Sequence, residues 1–170
     1  YRVGDLHQHA LGECGPRLRN TQSARVEAVA LRQAFEAWGL PVEASVFLLK
    51  VWDAIQFLDD VKDGHPISNV DAGIYTLIVG LPTDPFLAQH RALLEGALVT
   101  AYHKWQAANV LEGKGEELDK TYMWRAGYYD LVLLVIAICK PREETEVLAP
   151  QVLKLYGETR EGYLQEMGRA

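Results

Sequence analysis

The sequence predicts an all-α protein, an antiparallel bundle of five to six helices, on three observations. Glycine and proline cut the chain into stretches of helical rather than strand length. Within these stretches apolar residues recur every three or four positions, and the stretches open on capping residues and close on Gly or Pro. At 170 residues, 49% of them hydrophobic, the chain is long enough to bury one core without disulfide or metal staples. One domain is therefore expected over residues 20–170, preceded by an aperiodic arm over residues 1–19.

The elements follow in order. A first helix is expected from about Asn20 to Trp38, stopped by Gly39 and Pro41, and a second from Val42 to Asp63, stopped by Gly64 and Pro66. A short third, about Ser68 to Val79, opens with Ser68 as cap and Asp71 three residues on, and closes at Gly80 and Pro82. The fourth is the longest. Asp84 caps it, Pro85 takes the first helical position, and Leu94, Leu98, Ala101, Trp105 and Ala108 mark its apolar face up to Gly113. A fifth helix is expected from about Glu116 to Lys140, and Pro150 should divide the remainder into a short piece and a last helix ending near Gly168.

Seventeen basic against 23 acidic residues give a net charge of -6 with no Lys/Arg cluster, which argues against nucleic-acid binding. The longest apolar run, Leu131 to Cys139, is about half of the ~20 residues that cross a bilayer, and no basic-then-apolar leader opens the chain. The expectation is a cytoplasmic protein without a membrane span, and the opening residue Tyr1 suggests that the natural start lies upstream. Cys139 ends an apolar run and reads as a small core residue, whereas Cys14 lies in the arm. No phosphate-binding glycine loop and no serine elbow is present.

The segment from Trp52 to Pro66 concentrates aspartate. At about 100° per residue, Asp53, Gln56, Asp59, Asp60 and Asp63 share an arc of roughly 120°, with Val51, Ala54, Ile55, Phe57, Leu58 and Val61 opposite. Two readings stand. A solvated face gives this arrangement, but such a face normally mixes Lys, Glu and Arg, whereas short aspartates suit a hard cation.

"FLDDVKD", Phe57 to Asp63, resembles the D-D-x-x-D helix of class I isoprenoid synthases. That resemblance implies Mg²⁺ gripping the diphosphate of a small substrate inside an α-bundle, with Asp59 and Asp63 as ligands and Asp60 as their neighbour; the expected metal set taken as a whole is Asp59, Asp60 and Asp63, with Mg²⁺ or Mn²⁺ as the ion. The second metal motif of terpene cyclases is echoed at "NVLEGKGEE", with Asn109 and Glu117 in place but Val110 and Gly113 where Asp and Ser or Thr are expected. "DPF" (Asp84 to Phe86) followed by "WxxANxxE" (Trp105 to Glu112) is similar to uncharacterised helical proteins of phages and prophages, a resemblance that carries no activity.

Helix geometry selects two more carboxylates. Glu112 returns to the apolar face seven residues after Trp105, with Asn109 one turn earlier. Asp130, among Tyr128, Tyr129, Leu131 and Val132, is expected to be buried, and so to need a metal, a tyrosine hydroxyl or a cation such as Arg125 or Lys120. If the helices alternate up and down, Asp59, Asp60, Asp63, Asn109, Glu112 and Asp119 line one rim of the bundle, and Asp130 lies roughly 16 Å deeper, near Asp53 and His103. The remaining histidines suggest less. His7 and His9 lie in the arm, His65 reads as a turn residue, and His90 as a core histidine.

The expected function is a divalent-metal site acting on a phosphorylated small molecule, either a nucleotide or an isoprenoid diphosphate, with Glu112 and Asp130 as catalytic groups and Lys120, Arg125 and Asn109 contacting substrate. The alternative is a non-enzymatic helical module that associates with itself or with a partner protein through its Trp and Tyr residues.

Overall fold

The computed structural model describes residues 21–168. The arm lies outside them, and with it Asn20 and the expectations for His7, His9 and Cys14. Helix makes up 82% of the described residues and no strand occurs among them, so the all-α bundle stands. The helices are α1 (Thr21–Ala37), α2 (Val42–Asp63), α3 (Val70–Tyr75), α4 (Pro85–Lys114), α5 (Leu118–Arg125), α6 (Gly127–Cys139), α7 (Arg142–Leu155) and α8 (Arg160–Glu166). Six of these, all but α3 and α8, have eight residues or more.

Glycine stops three of the helices, at Gly39 and Gly64 as expected and at Gly115, two residues past the expected Gly113. Gly39, Gly64 and Gly115 all take positive φ, between 61° and 68°, where a Cβ would be strained. Asp84 caps α4, accepting from the backbone N–H of Phe86 and Leu87 at 2.9 and 3.2 Å. The cap of α3 is Asn69 rather than Ser68: its Oδ1 accepts from Ala72 N–H at 3.0 Å. Beyond Tyr75, α3 widens into a π-turn over Thr76–Gly80, where Leu81 N–H reaches back to the Thr76 carbonyl at 2.8 Å.

Two boundaries differ from expectation. The helix expected over Glu116 to Lys140 is broken at Ala126, whose ψ of 14° ends α5 and starts α6. Just past the break Gly127 packs on α4, where a Cβ would lie in ordinary contact, 3.5 Å from the Ala101 Cα. Pro150 lies inside α7 and does not divide it. The division comes at Tyr156 to Thr159, where Thr159 Oγ1 caps α8 by accepting from Gly162 N–H at 3.1 Å.

The core is built on α6, whose Leu131, Val132, Val135 and Ile136 are fully buried against Phe35 of α1, Phe47 and Leu48 of α2 and Leu94 of α4. The stretch Leu118–Cys139 is long and apolar enough to cross a membrane by length and composition; here its α6 half is the centre of the core. Helices α2 and α4 run the same way. Phe47 meets Phe86 near their starts, ring centroids 5.6 Å apart, and Asp59 meets Trp105 near their ends. Helix α6 runs against both, its first turn placing Tyr128 on Trp52, centroids 5.1 Å apart. The ends of α2 and α4 and the start of α6 therefore share one end of the bundle.

α3 is attached more lightly. It buries none of its residues, and Val70, Ile74, Tyr75 and Ile78 are exposed along it. It rests on α2 where Gly73 faces Phe57, and a Cβ at Gly73 would fall 2.2 Å from the Phe57 ring. Gly73→Ala should therefore cost about 1–3 kcal/mol of overpacking locally. Because α3 is the weaker element, it should lift away while α2 keeps its place. Amide exchange is expected to accelerate across residues 70–80 and stay unchanged in α6, and equal acceleration in both would contradict this.

Candidate functional site

A cavity of about 850 Å³ opens among α1, α2, α4, α6 and the α7–α8 connection, within the size range of small-molecule sites. Its walls are mainly apolar and aromatic, with Trp52, Tyr102, Trp105, Tyr128, Tyr129 and Tyr156 among them. The charged side chains reaching it are Glu27, Asp59, Asp60 and Glu158 against a single cation, Arg125. Four carboxylates to one guanidinium make it an acidic pocket.

The half-buried end of α2 supplies Asp59 and Asp60. Trp105 Nε1 of α4 donates to Asp59 Oδ1 at 3.4 Å, and the Lys62 ammonium stands 5.0 Å from the centre of the same indole. Asp60 has a different neighbour. The left-handed Gly64 turns the chain back so that His65 N–H bonds the Asp60 carbonyl at 2.9 Å, and this brings His65 Nδ1 to 3.5 Å from Asp60 Oδ1. Asp63, one turn beyond Asp59, is exposed and off the cavity wall. The structure thus brings two of the three expected metal ligands to the cavity.

Seven residues along α4 from Trp105, roughly 10 Å at 1.5 Å per residue, lies a second polar group. Glu112 is on the core side as expected, its side chain 13% exposed, and it accepts from the Tyr163 hydroxyl at 2.9 Å. The Arg125 guanidinium lies between two carboxylates, 3.7 Å from Glu112 and 4.0 Å from Glu158, and over the Tyr163 ring. The Tyr156 hydroxyl donates to Glu158 at 2.6 Å, and the Tyr122 hydroxyl donates to the Glu158 carbonyl at 2.7 Å. Three glutamate and tyrosine neighbours of Arg125 therefore come from α4 and the α7–α8 region. Burial of the rings keeps the Tyr129 and Tyr156 hydroxyls protonated well beyond the ordinary phenol range, the nearby Glu158 adding to this in both.

Other expected residues lie elsewhere. Asp130 is not buried: its side chain is 71% exposed and pairs with Lys104. Met123, two turns before Asp130, is 69% exposed as well, so the side that carries both is turned to solvent. Lys120 is exposed beside Glu117 and borders a smaller groove with Met123 and Trp124. Asp119 pairs with Arg160 at 2.7 Å on the surface, so it leaves the expected rim. Asn109 has its Nδ2 buried without a hydrogen-bond partner among the described residues. His103 is exposed, and His90 packs on Phe86, ring centroids 4.6 Å apart. Burial raises the Asp53 carboxyl above its usual range, with Arg32 opposing.

Sequence reasoning does not find Glu27, Tyr156 or Glu158, because their meeting depends on how α1 and the α7–α8 connection fold over α6. Trp105 carries a visible signal, a polar N–H on an otherwise apolar face, and Gly64 before His65 carries another, the turn that reverses the chain onto Asp60. Among the described residues no three His, Cys, Asp or Glu side chains converge closely enough to enclose a metal without further ligands. In comparisons with protein-family models, curated proteins and solved structures, no match to this chain was found.

Proposed function

We propose that this chain binds an elongated, mainly apolar small molecule with a diphosphate head, the head held through a divalent cation at Asp59 and Asp60. The observation that carries the reading is the position of these two carboxylates on the wall of an otherwise apolar and aromatic cavity inside a helical bundle. A bare diphosphate would meet four carboxylates there, so the cation is needed to reverse the sign of the field at the head. Two carboxylates suit Mg²⁺ or Mn²⁺, since Mg²⁺ usually takes one or two protein oxygens and completes its shell with water and phosphate.

When bound, such an ion supplies charge neutralisation to a departing diphosphate. The chain's own residues do the rest. Trp105 fixes Asp59 by its N–H, the aromatic walls exclude water from the ligand body, and Arg125, between Glu112 and Glu158, adds a cation to the wall. Asp130 and Lys120, both exposed, have no part in this arrangement.

The test is thermal unfolding with Mg²⁺ or Mn²⁺ plus an alkyl diphosphate, compared with each component alone. A ligand at 100 times its Kd adds about 2.7 kcal/mol, or roughly 5–10 °C in a chain of this size. Asp59→Asn and Asp60→Asn should each abolish the rise without lowering the unliganded midpoint by as much. An equal rise in wild type and both variants would refute the reading.

A second reading, a helical module that associates with itself or another protein, is favoured by the exposed apolar row Val70, Ile74, Tyr75 and Ile78 on α3. It predicts a mass that grows with concentration and falls back when Ile78→Asp is introduced, with no response to metal. A constant monomer mass would exclude self-association.

A further inference from the structure

Two walls of the cavity are irregular, and they are held in different ways. The α7–α8 connection is tied to its neighbours: the Tyr122 hydroxyl donates to the Glu158 carbonyl at 2.7 Å, the Tyr129 hydroxyl donates to the Leu155 carbonyl at 3.3 Å, and Arg125 stands 4.0 Å from the Glu158 carboxylate. The other wall is the segment between Gly64 and Asp84, which brings Ser68, Leu77 and Leu81 to the cavity. Among the described residues, the hydrogen bonds of its stretch from Ser68 to Val79 are local: the Asn69 cap, the Thr76 hydroxyl donating to the Ala72 carbonyl at 2.9 Å, and the Thr83 hydroxyl donating to the Val79 carbonyl at 2.7 Å. A hydrogen bond to another helix comes only at its far end, where the Lys50 ammonium donates to the Gly80 carbonyl at 3.4 Å beside the buried Asp84.

The segment is also apolar on two sides. Gly73, Leu77 and Leu81, spaced one helical turn apart, face α2 and the cavity, whereas Val70, Ile74 and Ile78 stand outside, 44–69% exposed. Neither α3 nor its π-turn buries a residue fully. An ordinary amphipathic helix stays down because lifting it would expose its apolar face, but here the inward leucines are only half-buried and lifting gives up little. The wider turn over Thr76–Gly80 supplies a place to bend, since an irregularity of this kind is where helices kink.

We propose that α3 with its π-turn is a lid on the cavity, hinged near Gly64 and at Gly80, which an elongated apolar ligand closes by burying Leu77 and Leu81. This rests on the cavity being the ligand's place, as proposed above, and is independent of the cation at Asp59 and Asp60. A ligand body beneath the two leucines adds apolar contact that exists only with the lid down, and that difference between the two positions is what lets a ligand shift their balance. Ser68, exposed and yet on the cavity wall, puts the opening at the start of the lid.

A crosslink can hold the lid down. A Cβ at Gly73 lies 2.5 Å from the Phe57 Cγ, so cysteines at the two positions bring their Cβ atoms to no more than about 4 Å, within disulfide reach, and Phe57 is off the cavity wall. The experiment uses the full chain with Cys14→Ser and Cys139→Ser, carrying Phe57→Cys and Gly73→Cys, and the neutral fluorophore diphenylhexatriene as probe. Oxidised before loading, the protein should take up the probe at least about tenfold more slowly than when reduced; oxidised after loading, it should release the probe at least about tenfold more slowly. Probe held on the outer surface would show neither effect. A second readout needs no variant: in the unsubstituted chain, saturating probe should slow amide exchange across residues 70–80 by at least about tenfold, while α8, which does not border the cavity, keeps its rate. Equal uptake and release in both redox states, or exchange unchanged by bound probe, overturns the lid and leaves the carboxylate reading standing. Probe that binds neither the reduced nor the unsubstituted chain overturns the lid together with the apolar ligand on which that reading rests. A lid that answers the probe in a chain indifferent to metal and alkyl diphosphate stands, and only the carboxylate reading falls.

Discussion

Replacing Asp84 by alanine is expected to lower the stability of the whole bundle by about 3 kcal/mol. Three losses combine at this one carboxylate. Its Oδ1 holds two of the free N–H groups at the start of α4, its Oδ2 accepts from the Lys50 ammonium at 2.7 Å, and the residue is 1% exposed. Loss of the cap alone costs about 1 kcal/mol. The remainder comes from Lys50, which keeps only a 3.4 Å contact to the Gly80 carbonyl; its side chain is 33% exposed, so water recovers part of its solvation and the penalty stays below that of a fully buried orphan charge. Asp84→Asn separates the two contributions, keeping an oxygen for the cap while removing the charge, and should cost about half as much. At about 2–4 °C per kcal/mol, the alanine variant should melt roughly 6–12 °C below wild type. A loss under about 1 kcal/mol in urea denaturation would mean that Lys50 is hydrated without Asp84 and that the pair is incidental.

The same residue illustrates what is readable in a sequence. Asp84-Pro85 is a local signal: a capping side chain and a proline whose missing N–H costs nothing at the first helical position, so the start of α4 is legible to the residue. The stops at Gly39 and Gly64 are local in the same sense. Where an element depends on contacts far along the chain, local signals fail. The break at Ala126 is marked only by Gly127, which lies in ordinary contact with Ala101 of α4, and an isolated glycine does not by itself announce a break. Asp130 is misjudged for a related reason: its immediate neighbours in the chain are apolar, but it stands on the exposed side with Met123 and pairs with Lys104 of α4. Glu112, on the uninterrupted half of α4 beyond the kink at His90, keeps the phase expected of it and lies where helix geometry puts it. Asp59 and Asp60 are legible as a pair by composition, but the apolar cavity they face is made of α1, α4, α6 and the α7–α8 connection, and no spacing within α2 encodes it. Pro150 is the reverse case, a strong local signal overridden by the packing of α7 along α6.

Alkaline unfolding should be abrupt, and should begin near pH 10. Trp52, Tyr128, Tyr129, Tyr156, Tyr122 and Tyr163 form a continuous run of ring contacts, with successive centroids 5.1–5.5 Å apart, from the core to α8. Burial raises the hydroxyls of all five tyrosines above the ordinary phenol value of 10, and Tyr163 is pushed up to about 12. Below pH 10 each is protonated in both the folded and the unfolded chain, so the full stability is present. Above pH 10 the unfolded chain loses these protons while the folded chain keeps them, and stability falls as pH rises through the folded values. The fall is about 1.4 kcal/mol per pH unit for each group so held, so two of them, Tyr128 and Tyr129, give nearly 3 kcal/mol per unit between them. Against a total of about 5–15 kcal/mol, this should unfold the bundle cooperatively between about pH 10 and 12. Phenolate absorbance at high pH should therefore lag and then jump together with the loss of helical circular dichroism. Tyr129→Phe, which gives up only the 3.3 Å bond to the Leu155 carbonyl, should flatten the pH dependence by about one group's share and move the midpoint upward. A gradual phenolate titration with the helices intact would mean that these hydroxyls reach water without unfolding, and that the aromatic run closes neither the core nor the cavity beside it.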